Sequence, residues 1–398
     1  LRGITSTGVP DTGGLRPILW RYLLQCLPTD RSQWSDHLET QRKLYARFVQ
    51  DFILKPAEIV SQGGNSSRGE GPRLGGEAQT ASAAREAAAT AIGSGAADLP
   101  KTAQTSPHRG SIDPHGSPGG DSPTPRRTEG PGSVRGGADG STVSERSPGG
   151  ARVSQELRPA EDDPLSSKET SEWAALWSDK ELMQAIDQDV VRTMPDLAFY
   201  ACRGWRERRE AIARVLFIHA KLNPAESYTQ GMNEIVATLY YVLATDGEEE
   251  WSEHCEADTF FCFTNLMSEI RDVFIQSLDE SESGLLGKMQ AFSRTLHHHD
   301  PELADHMARL ALDPRYYALR WFTTLLSREF DLPDTIRLWD SLFASRDRSE
   351  FLVFVFVTLM LGQREELLAG DFASNLQLLQ SYPPTEVPEI LAQSEALR

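Results

Sequence analysis

Residues 186–195 read Ile-Asp-Gln-Asp-Val-Val-Arg-Thr-Met-Pro, and residues 227–233 read Ser-Tyr-Thr-Gln-Gly-Met-Asn. In the first piece the apolar residues recur at helical spacing, and a helix cannot continue through Pro195. Arg192 therefore lies in the last turn of an amphipathic helix. In the second piece Gln230 opens a strongly apolar helix. These two pieces decide how the remainder of the chain is interpreted.

Helical spacing of apolar residues covers most of the chain outside one long segment. Ser178, followed three residues later by Glu181, forms a capping box that predicts the start of the helix leading to Arg192. No stretch alternates like a strand over a useful length, so we predict an all-α fold. The other predicted helices cover residues 15–27, 34–55, 206–222, 230–243, 258–278, 285–299, 301–312, 316–327, 333–343 and 351–368.

Residues 61–165 differ in composition, being rich in Gly, Ser, Pro, Ala and Arg with almost no aromatic residue. Such a segment cannot bury enough apolar surface to offset its chain entropy, so we predict that it is disordered. The entropy of closing a loop grows only with the logarithm of its length. Residues 1–60 and 166–398 can therefore form a single helical domain that is interrupted by a long insert.

The charge and hydropathy of the chain exclude some classes of partner and location. The 40 basic and 58 acidic residues give a net charge of −18, which is unfavourable for binding a phosphate backbone, so we expect no nucleic-acid partner. The longest apolar run, residues 351–361, is shorter than the roughly 20 residues that span a bilayer. No signal peptide is visible, and we expect a cytoplasmic protein without a transmembrane segment.

Metal and nucleotide sites have little support in the sequence. The four cysteines are scattered and contain no C-x-x-C pair, which argues against a disulfide framework and a structural zinc site. His297, His298 and His299 follow one another in a predicted helix, where successive side chains point about 100° apart and cannot converge on one ion. No G-x-x-x-x-G-K-[ST] loop is present, so we predict neither a metal site nor a nucleotide site.

Arg192 and Gln230 are weak signals when each is taken alone. An arginine in the last turn of a helix is usually a solvated residue that interacts favourably with the helix dipole. Asp189 lies three residues earlier on the same helix face and could hold the guanidinium, although such pairs are common. An arginine and a glutamine on neighbouring helix ends can together stabilise a transferring phosphoryl group and orient the attacking water.

The combination of these residues resembles a known family. Ile186, Asp189 and Arg192, followed by Tyr228 and Gln230 and then directly by Gly-Met-Asn, are similar to the paired signature of the TBC domain. That family comprises GTPase-activating proteins for Rab GTPases. Further similar pieces occur in the family's order over about residues 8–27 and 173–368: Arg16 and Trp20, then residues 320–321, 327–330 and 338–340. The insert is longer than the connection found in most members.

The resemblance implies an all-helical fold and a role for each matched residue. Arg192 would be an arginine finger and Gln230 a glutamine finger, both supplied in trans to the nucleotide site of the partner. Asp189 would orient Arg192, and Tyr228 would hold the loop that presents Gln230. Ile186 and Asn233 would support the site, and Arg16 and Trp20 would brace the fold near the interface.

The resemblance also implies a partner. This would be a Rab-family GTPase in its GTP-bound form, and the chain would activate that enzyme rather than turn over a substrate of its own. GTP and Mg²⁺ would be held by the GTPase, so no cofactor is expected here. Membrane contact would come only through the partner, with recruitment to endomembranes and a role in vesicle trafficking and intracellular protein transport.

Two other interpretations remain open at the level of sequence. The chain could be a non-catalytic TBC-like scaffold that binds a Rab or another trafficking protein without accelerating hydrolysis. It could also be a helical scaffold unrelated to GTPases. The joint presence of Arg192 and Gln230 argues against the non-catalytic scaffold, because binding alone would not require the two together. Only the combination of motifs argues against the unrelated helical scaffold.

Overall fold

The computed structural model describes residues 5, 8–10, 14–54, 172–275, 281 and 284–398. Within these ranges every extended regular element is a helix, and no strand occurs. The prediction of an all-α fold is confirmed. The insert predicted over residues 61–165 lies outside the described residues.

The α-helices follow one another along the chain on both sides of the insert. In order they are α1 Leu15–Leu23, α2 Trp34–Val49, α3 Glu172–Arg192, α4 Ala198–Ala201, α5 Trp205–Leu222, α6 Met232–Ala244, α7 Glu249–Ser252, α8 Cys255–Ile270, α9 Leu285–His299, α10 Pro301–Arg309, α11 Ala318–Thr324, α12 Leu332–Ala344, α13 Arg348–Gly362, α14 Arg364–Ala369, α15 Phe372–Gln380 and α16 Val387–Leu397. Short 3₁₀ segments cover Arg31–Gln33, Arg271–Val273 and Pro314–Tyr316, and a π segment covers Gln50–Leu54.

Several helix boundaries differ from the prediction. Helix α3 begins at Glu172, so Ser178 is an exposed residue inside the helix and the predicted capping box is wrong. The single helix predicted over 351–368 is divided between α13 and α14, because the backbone leaves helical geometry at Gln363. Helices α15 and α16 were not predicted, since their short apolar patterns are indistinguishable from those of loops.

The core forms around α6, α8 and α13, whose side chains are buried on nearly all sides. Helices from both sides of the insert contribute to it. The aromatic ring of Trp20 on α1 packs edge-on against Phe343 on α12 at 5.0 Å, and Tyr45 on α2 lies 5.2 Å from Phe260 on α8. Residues before and after the insert therefore share one hydrophobic core.

Asp340 on α12 ties the N-terminal segment to the C-terminal helices. Its carboxylate accepts hydrogen bonds from Trp20 Nε1 at 2.8 Å, from Arg16 Nε at 3.2 Å and from the backbone N–H of Val9 at 3.1 Å. Burial raises the pKa of this carboxyl, and these donors oppose the increase. Arg16 and Trp20 thus lie at the contact between α1 and α12.

A buried ion-pair network joins α1 and α2 to the helices that follow the insert. Arg21 donates to Asp258 at 2.9 Å and to Asp246 at 3.1 Å, and all three side chains are buried. Arg42 on α2 donates to the same Asp258 at 3.0 Å. Asp258 therefore holds two arginines from two different helices.

None of the described helices combines the length and the apolarity needed to cross a bilayer. Among the described residues no three His, Cys, Asp or Glu side chains are grouped as a metal ion would require. His297, His298 and His299 occupy the last turn of α9, where His297 faces Asp305 and His299 faces Phe354.

Replacing Asp258 with alanine should destabilise the fold by about 3 to 5 kcal/mol, because it leaves buried guanidinium charge without its carboxylate. Urea unfolding followed by circular dichroism measures this change. The matched control is Glu39→Ala, which breaks an exposed ion pair with Lys43 on α2 and should leave the unfolding midpoint unchanged. Equal midpoints for Asp258→Ala and the wild type would contradict the prediction.

Candidate functional site

The ends of α3 and α6 face one open cleft of about 570 Å³. Arg192 is the last residue of α3, and Gln230 lies in the turn just before α6. Both side chains are exposed and line this cleft, together with Asp189 and Asn233. Two pieces that are distant in sequence therefore present an arginine and a glutamine to the same space.

Arg192 is anchored at its base and open at its tip. Its Nε donates to the carbonyl oxygen of Gln188 at 3.0 Å, and its Nη2 donates to Asp189 Oδ1 at 2.6 Å. The side chain is nevertheless 69% exposed, whereas that of Asp189 is 12% exposed. The ion pair therefore sets the direction of the guanidinium and leaves Nη1 available to a ligand in the cleft.

Tyr228 holds the second oxygen of the same carboxylate. Its hydroxyl donates to Asp189 Oδ2 at 2.7 Å, and the ring packs against the hydrophobic core. Burial, the hydrogen bond to Asp189 and the negative charge of Asp189 all raise the pKa of Tyr228. The hydroxyl consequently remains a proton donor over the physiological range, and Asp189 connects the arginine to the loop that carries the glutamine.

Asn233 makes a second connection between the two pieces. Its Oδ1 accepts the backbone N–H of Gly231 at 2.9 Å, and its Nδ2 donates to Thr193 Oγ1 at 2.8 Å. The hydroxyl of Thr193 in turn donates to the carbonyl oxygen of Asp189 at 2.8 Å. The buried side-chain amide of Asn233 therefore holds both Gly231, next to Gln230, and Thr193, next to Arg192.

Thr193 and Arg209 are site residues that the sequence reasoning missed. Thr193 directly follows Arg192 in sequence, and its side chain is buried. Its position after a helix end was the only feature of the sequence that could have indicated its role. Arg209 on α5 donates to the carbonyl oxygens of Val190, Thr193 and Tyr200, the latter two at 3.3 Å. It satisfies carbonyls that the end of α3 leaves without helical partners, and nothing in the local sequence indicates this.

The loop before Gln230 is fixed at both ends. At its start, Asn223 Nδ2 donates to the carbonyl of His219 at 2.9 Å, and His219 Nε2 lies 3.2 Å from a carboxylate oxygen of Glu226. At its end, Gly231 has a φ of 113°, and a Cβ there would lie 2.8 Å from the carbonyl oxygen of Thr323. Only glycine allows this left-handed backbone to approach α11 so closely.

The arginines that line the cleft are each paired with a carboxylate. Arg192, Arg315, Arg320 and Arg328 contact Asp189, Asp313, Glu329 and Glu234, respectively. Burial raises the pKa of Glu234, and Arg328, whose Nη1 lies 3.2 Å from Glu234 Oε1, opposes that increase. The carboxylates therefore orient the guanidinium groups, and the N–H groups that they leave unbound can bind an anion.

The other residues singled out from the sequence do not line this cleft. Ile186 is fully buried on the face of α3 that packs into the core. Trp20 is also buried, and Arg16 lines a separate cavity beside Leu197 and Tyr241. The structure thus brings together Asp189, Arg192, Tyr228, Gln230 and Asn233, whereas Arg16 and Trp20 contact Asp340 elsewhere.

Replacing Asn233 with alanine should lower the free energy of unfolding by about 1 to 3 kcal/mol, because the buried groups of Gly231 and Thr193 lose their partner. Thermal or urea unfolding measures this change. The control is Gln230→Ala, which removes an exposed side chain and should leave stability unchanged. If Asn233→Ala unfolds like the wild type, the two pieces are not held together by this amide.

The sequence and the fold of this chain are both similar to those of known proteins. The sequence profile of the Rab-GTPase-TBC domain matches residues 150–368. The chain is 32% identical over 460 residues to human TBC1 domain family member 13, covering all of this chain and 93% of that protein. It is 42% identical over 198 residues to a TBC domain-containing protein of Schizosaccharomyces pombe, covering 46% of this chain and 32% of that protein.

The solved structures provide a similar fold. The crystal structure of the Ypt/Rab-GAP domain of Gyp1p superimposes with a TM-score of 0.61, covering 99% of this chain and 90% of that domain. The sequence identity is 18%, so this similarity concerns the fold alone. The profile match spans more than half of the chain, and the alignment with the human relative covers all of this chain. The chain therefore belongs to the Rab-GTPase-TBC domain family.

Proposed function

We propose that this protein accelerates GTP hydrolysis by a Rab-family GTPase in its GTP-bound form, with Arg192 and Gln230 supplied in trans. Membership of the Rab-GTPase-TBC family supports this proposal. A further relative, 28% identical over 174 residues and 39% of this chain, is the GTPase-activating protein GYP1 of Saccharomyces cerevisiae. The observation that carries the proposal is the convergence of Arg192 and Gln230 on one open cleft.

Arg192 would act as an electrostatic group. In the transition state of phosphoryl transfer, negative charge spreads over the transferring group, and a guanidinium placed beside it stabilises that charge. The contact with Asp189 already orients Arg192, so little conformational entropy is lost when the partner docks. The exposed tip of the side chain is then the part that enters the nucleotide site.

Gln230 would position the attacking water through its side-chain amide. An amide offers both a donor and an acceptor, which suits a water that must be held in line with the phosphoryl group. The backbone beside it is held by Asn233 and by the close contact of Gly231 with Thr323. A glutamine on a rigid turn can be effective because small displacements of catalytic groups are costly.

The partner would contribute the nucleotide. We infer that GTP and Mg²⁺ belong to the GTPase, and that this chain holds no cofactor of its own. Its location would be the cytoplasm, with access to endomembranes through the partner and a role in vesicle trafficking. The same GTPase would provide the membrane contact.

Replacing Arg192 with alanine should reduce stimulated hydrolysis by about 10³- to 10⁵-fold, the usual contribution of an arginine finger. Gln230→Ala should also abolish most of the stimulation. The measurement is phosphate release from a panel of GTP-loaded Rabs, with and without the protein. Melting temperatures should not change, because both side chains are exposed.

The matched control is Arg47→Ala, which removes another exposed arginine from the last turn of a helix, here α2. It should retain full activity. Stimulation that survives Arg192→Ala near the wild-type rate would contradict the proposed mechanism. Binding of a GTP-loaded Rab without any stimulation by the wild type would favour a non-catalytic scaffold instead.

Replacing Gly231 with alanine should lower the maximal stimulated rate by about 10²-fold, the usual result of displacing a catalytic group by roughly 1 Å. The added Cβ would lie 2.8 Å from the carbonyl oxygen of Thr323, and the backbone must move. Single-turnover hydrolysis at saturating protein measures this rate. Gly247→Ala is the control, because its Cβ would meet nothing within 4 Å. Equal rates for both variants would show that the turn tolerates the movement.

A further inference from the structure

The cleft has a second wall that the catalytic proposal does not use. It consists of α11, the 3₁₀ turn before it and the residues just after it. Besides Arg315, which is paired with Asp313, three side chains on this wall are exposed: Tyr316 is 52% exposed, Leu319 is 42% exposed, and the side chain of Arg328 is 53% exposed. We refer to Tyr316, Leu319 and Arg328 as the recognition wall.

Leu319 lies outside the buried face of the short helix α11. Ala318, Trp321 and Phe322 on α11 are buried, so this helix already has an apolar face that packs into the core. Leu319 is on the other side, in the cleft. Beside it, Tyr316 packs edge-on against Phe372 at 6.2 Å, and Phe372 is itself exposed. The wall therefore offers an aliphatic and an aromatic side chain to a partner, with the exposed Phe372 of α15 beside them.

The wall is rigid before any partner binds. Arg320 donates to both carboxylate oxygens of Glu329, at 2.6 and 2.8 Å, and to the carbonyl of Gln380 at 2.7 Å. The side chain of Gln380 in turn donates to the carbonyl of Tyr316 at 2.9 Å. These bonds connect α11 to α15, so docking here would require little ordering of the protein.

Arg328 differs from the other arginines on this wall. Arg320 is bound by both oxygens of Glu329, and Arg315 donates through two nitrogens to Asp313 at 2.9 and 2.7 Å. Among the described residues, Arg328 has one hydrogen-bond partner, the buried Glu234 at the floor of the cleft, whose Oε1 lies 3.2 Å from Arg328 Nη1. Its remaining N–H groups can therefore bind a carboxylate presented by a partner.

We propose that the recognition wall is the surface that docks and selects the GTPase, an inference that rests on the proposed function. A protein whose nucleotide reaches both Arg192 and Gln230 must enter the cleft between the two walls, and it then faces Tyr316, Leu319 and Arg328. The matching surface is an apolar side chain flanked by a carboxylate, next to the nucleotide site. Tyrosine and arginine, represented here by Tyr316 and Arg328, are among the residue types that dominate such contacts.

The experiment separates docking from chemistry. Stimulated hydrolysis is measured against the concentration of each GTP-loaded Rab that the wild type stimulates, for Leu319→Ser and for Arg328→Ala. We expect KM to rise about tenfold or more in each variant while kcat stays within about threefold, because these residues contribute binding and not transition-state stabilisation. Leu319→Ser replaces an exposed side chain, so it tests the inference even if Arg328→Ala folds poorly.

The matched controls are Leu15→Ser and Arg364→Ala. Leu15 on α1 is 41% exposed, the side chain of Arg364 is 39% exposed and paired with Asp300 and Glu302, and neither lines the cleft. Both controls should keep the wild-type KM. An unchanged KM for Leu319→Ser and Arg328→Ala on every stimulated Rab overturns the inference, and so does a fall in kcat at constant KM.

These outcomes differ from failure of the proposed function. If the proposed function is wrong, the wild type stimulates no Rab, or Arg192→Ala is as active as the wild type, and the inference is rejected with it. If only the inference is wrong, the wild type is active, Arg192→Ala is inactive and both wall variants have the KM of the wild type.

Discussion

The site depends on one carboxylate that is shared between two pieces of chain. Asp189 gives one oxygen to Arg192 and the other to Tyr228, so the arginine and the loop before Gln230 are held by the same group. The amide of Asn233 makes a parallel link through Thr193. In this mostly buried setting hydrogen bonds are strong, and a missing partner is expensive. The exposed side chains of Arg192 and Gln230 therefore need not stabilise the fold, because Asp189, Tyr228 and Asn233 do so.

Buried carboxylates also join distant parts of the chain in the fold as a whole. Asp258 and Asp340 are buried carboxylates that hold side chains from before the insert against helices that follow it. Closing a long loop adds little entropy cost for each added residue, so a few strong contacts suffice to keep α1 and α2 in the core. This explains how one helical domain tolerates a large insertion in its sequence.

The two walls of the cleft would have different roles in the proposed reaction. On the wall formed by the ends of α3 and α6, Arg192 would offset charge that develops in the transition state, which would affect kcat. On the opposite wall, Arg328 and the apolar side chains beside it would contribute binding that is equal in ground and transition states, which would affect KM.

The sequence by itself determined the helical class, the spacing that put Arg192 at a helix end and Gln230 at a helix start, and the family signature they form, because these depend on local periodicity and helix-breaking residues. Tertiary structure alone decided that Thr193 and Arg209 support the site, and that Tyr316, Leu319 and Arg328 line the same cleft as Arg192 and Gln230. Those facts depend on contacts between residues far apart in the chain, and local patterns contain no information about them.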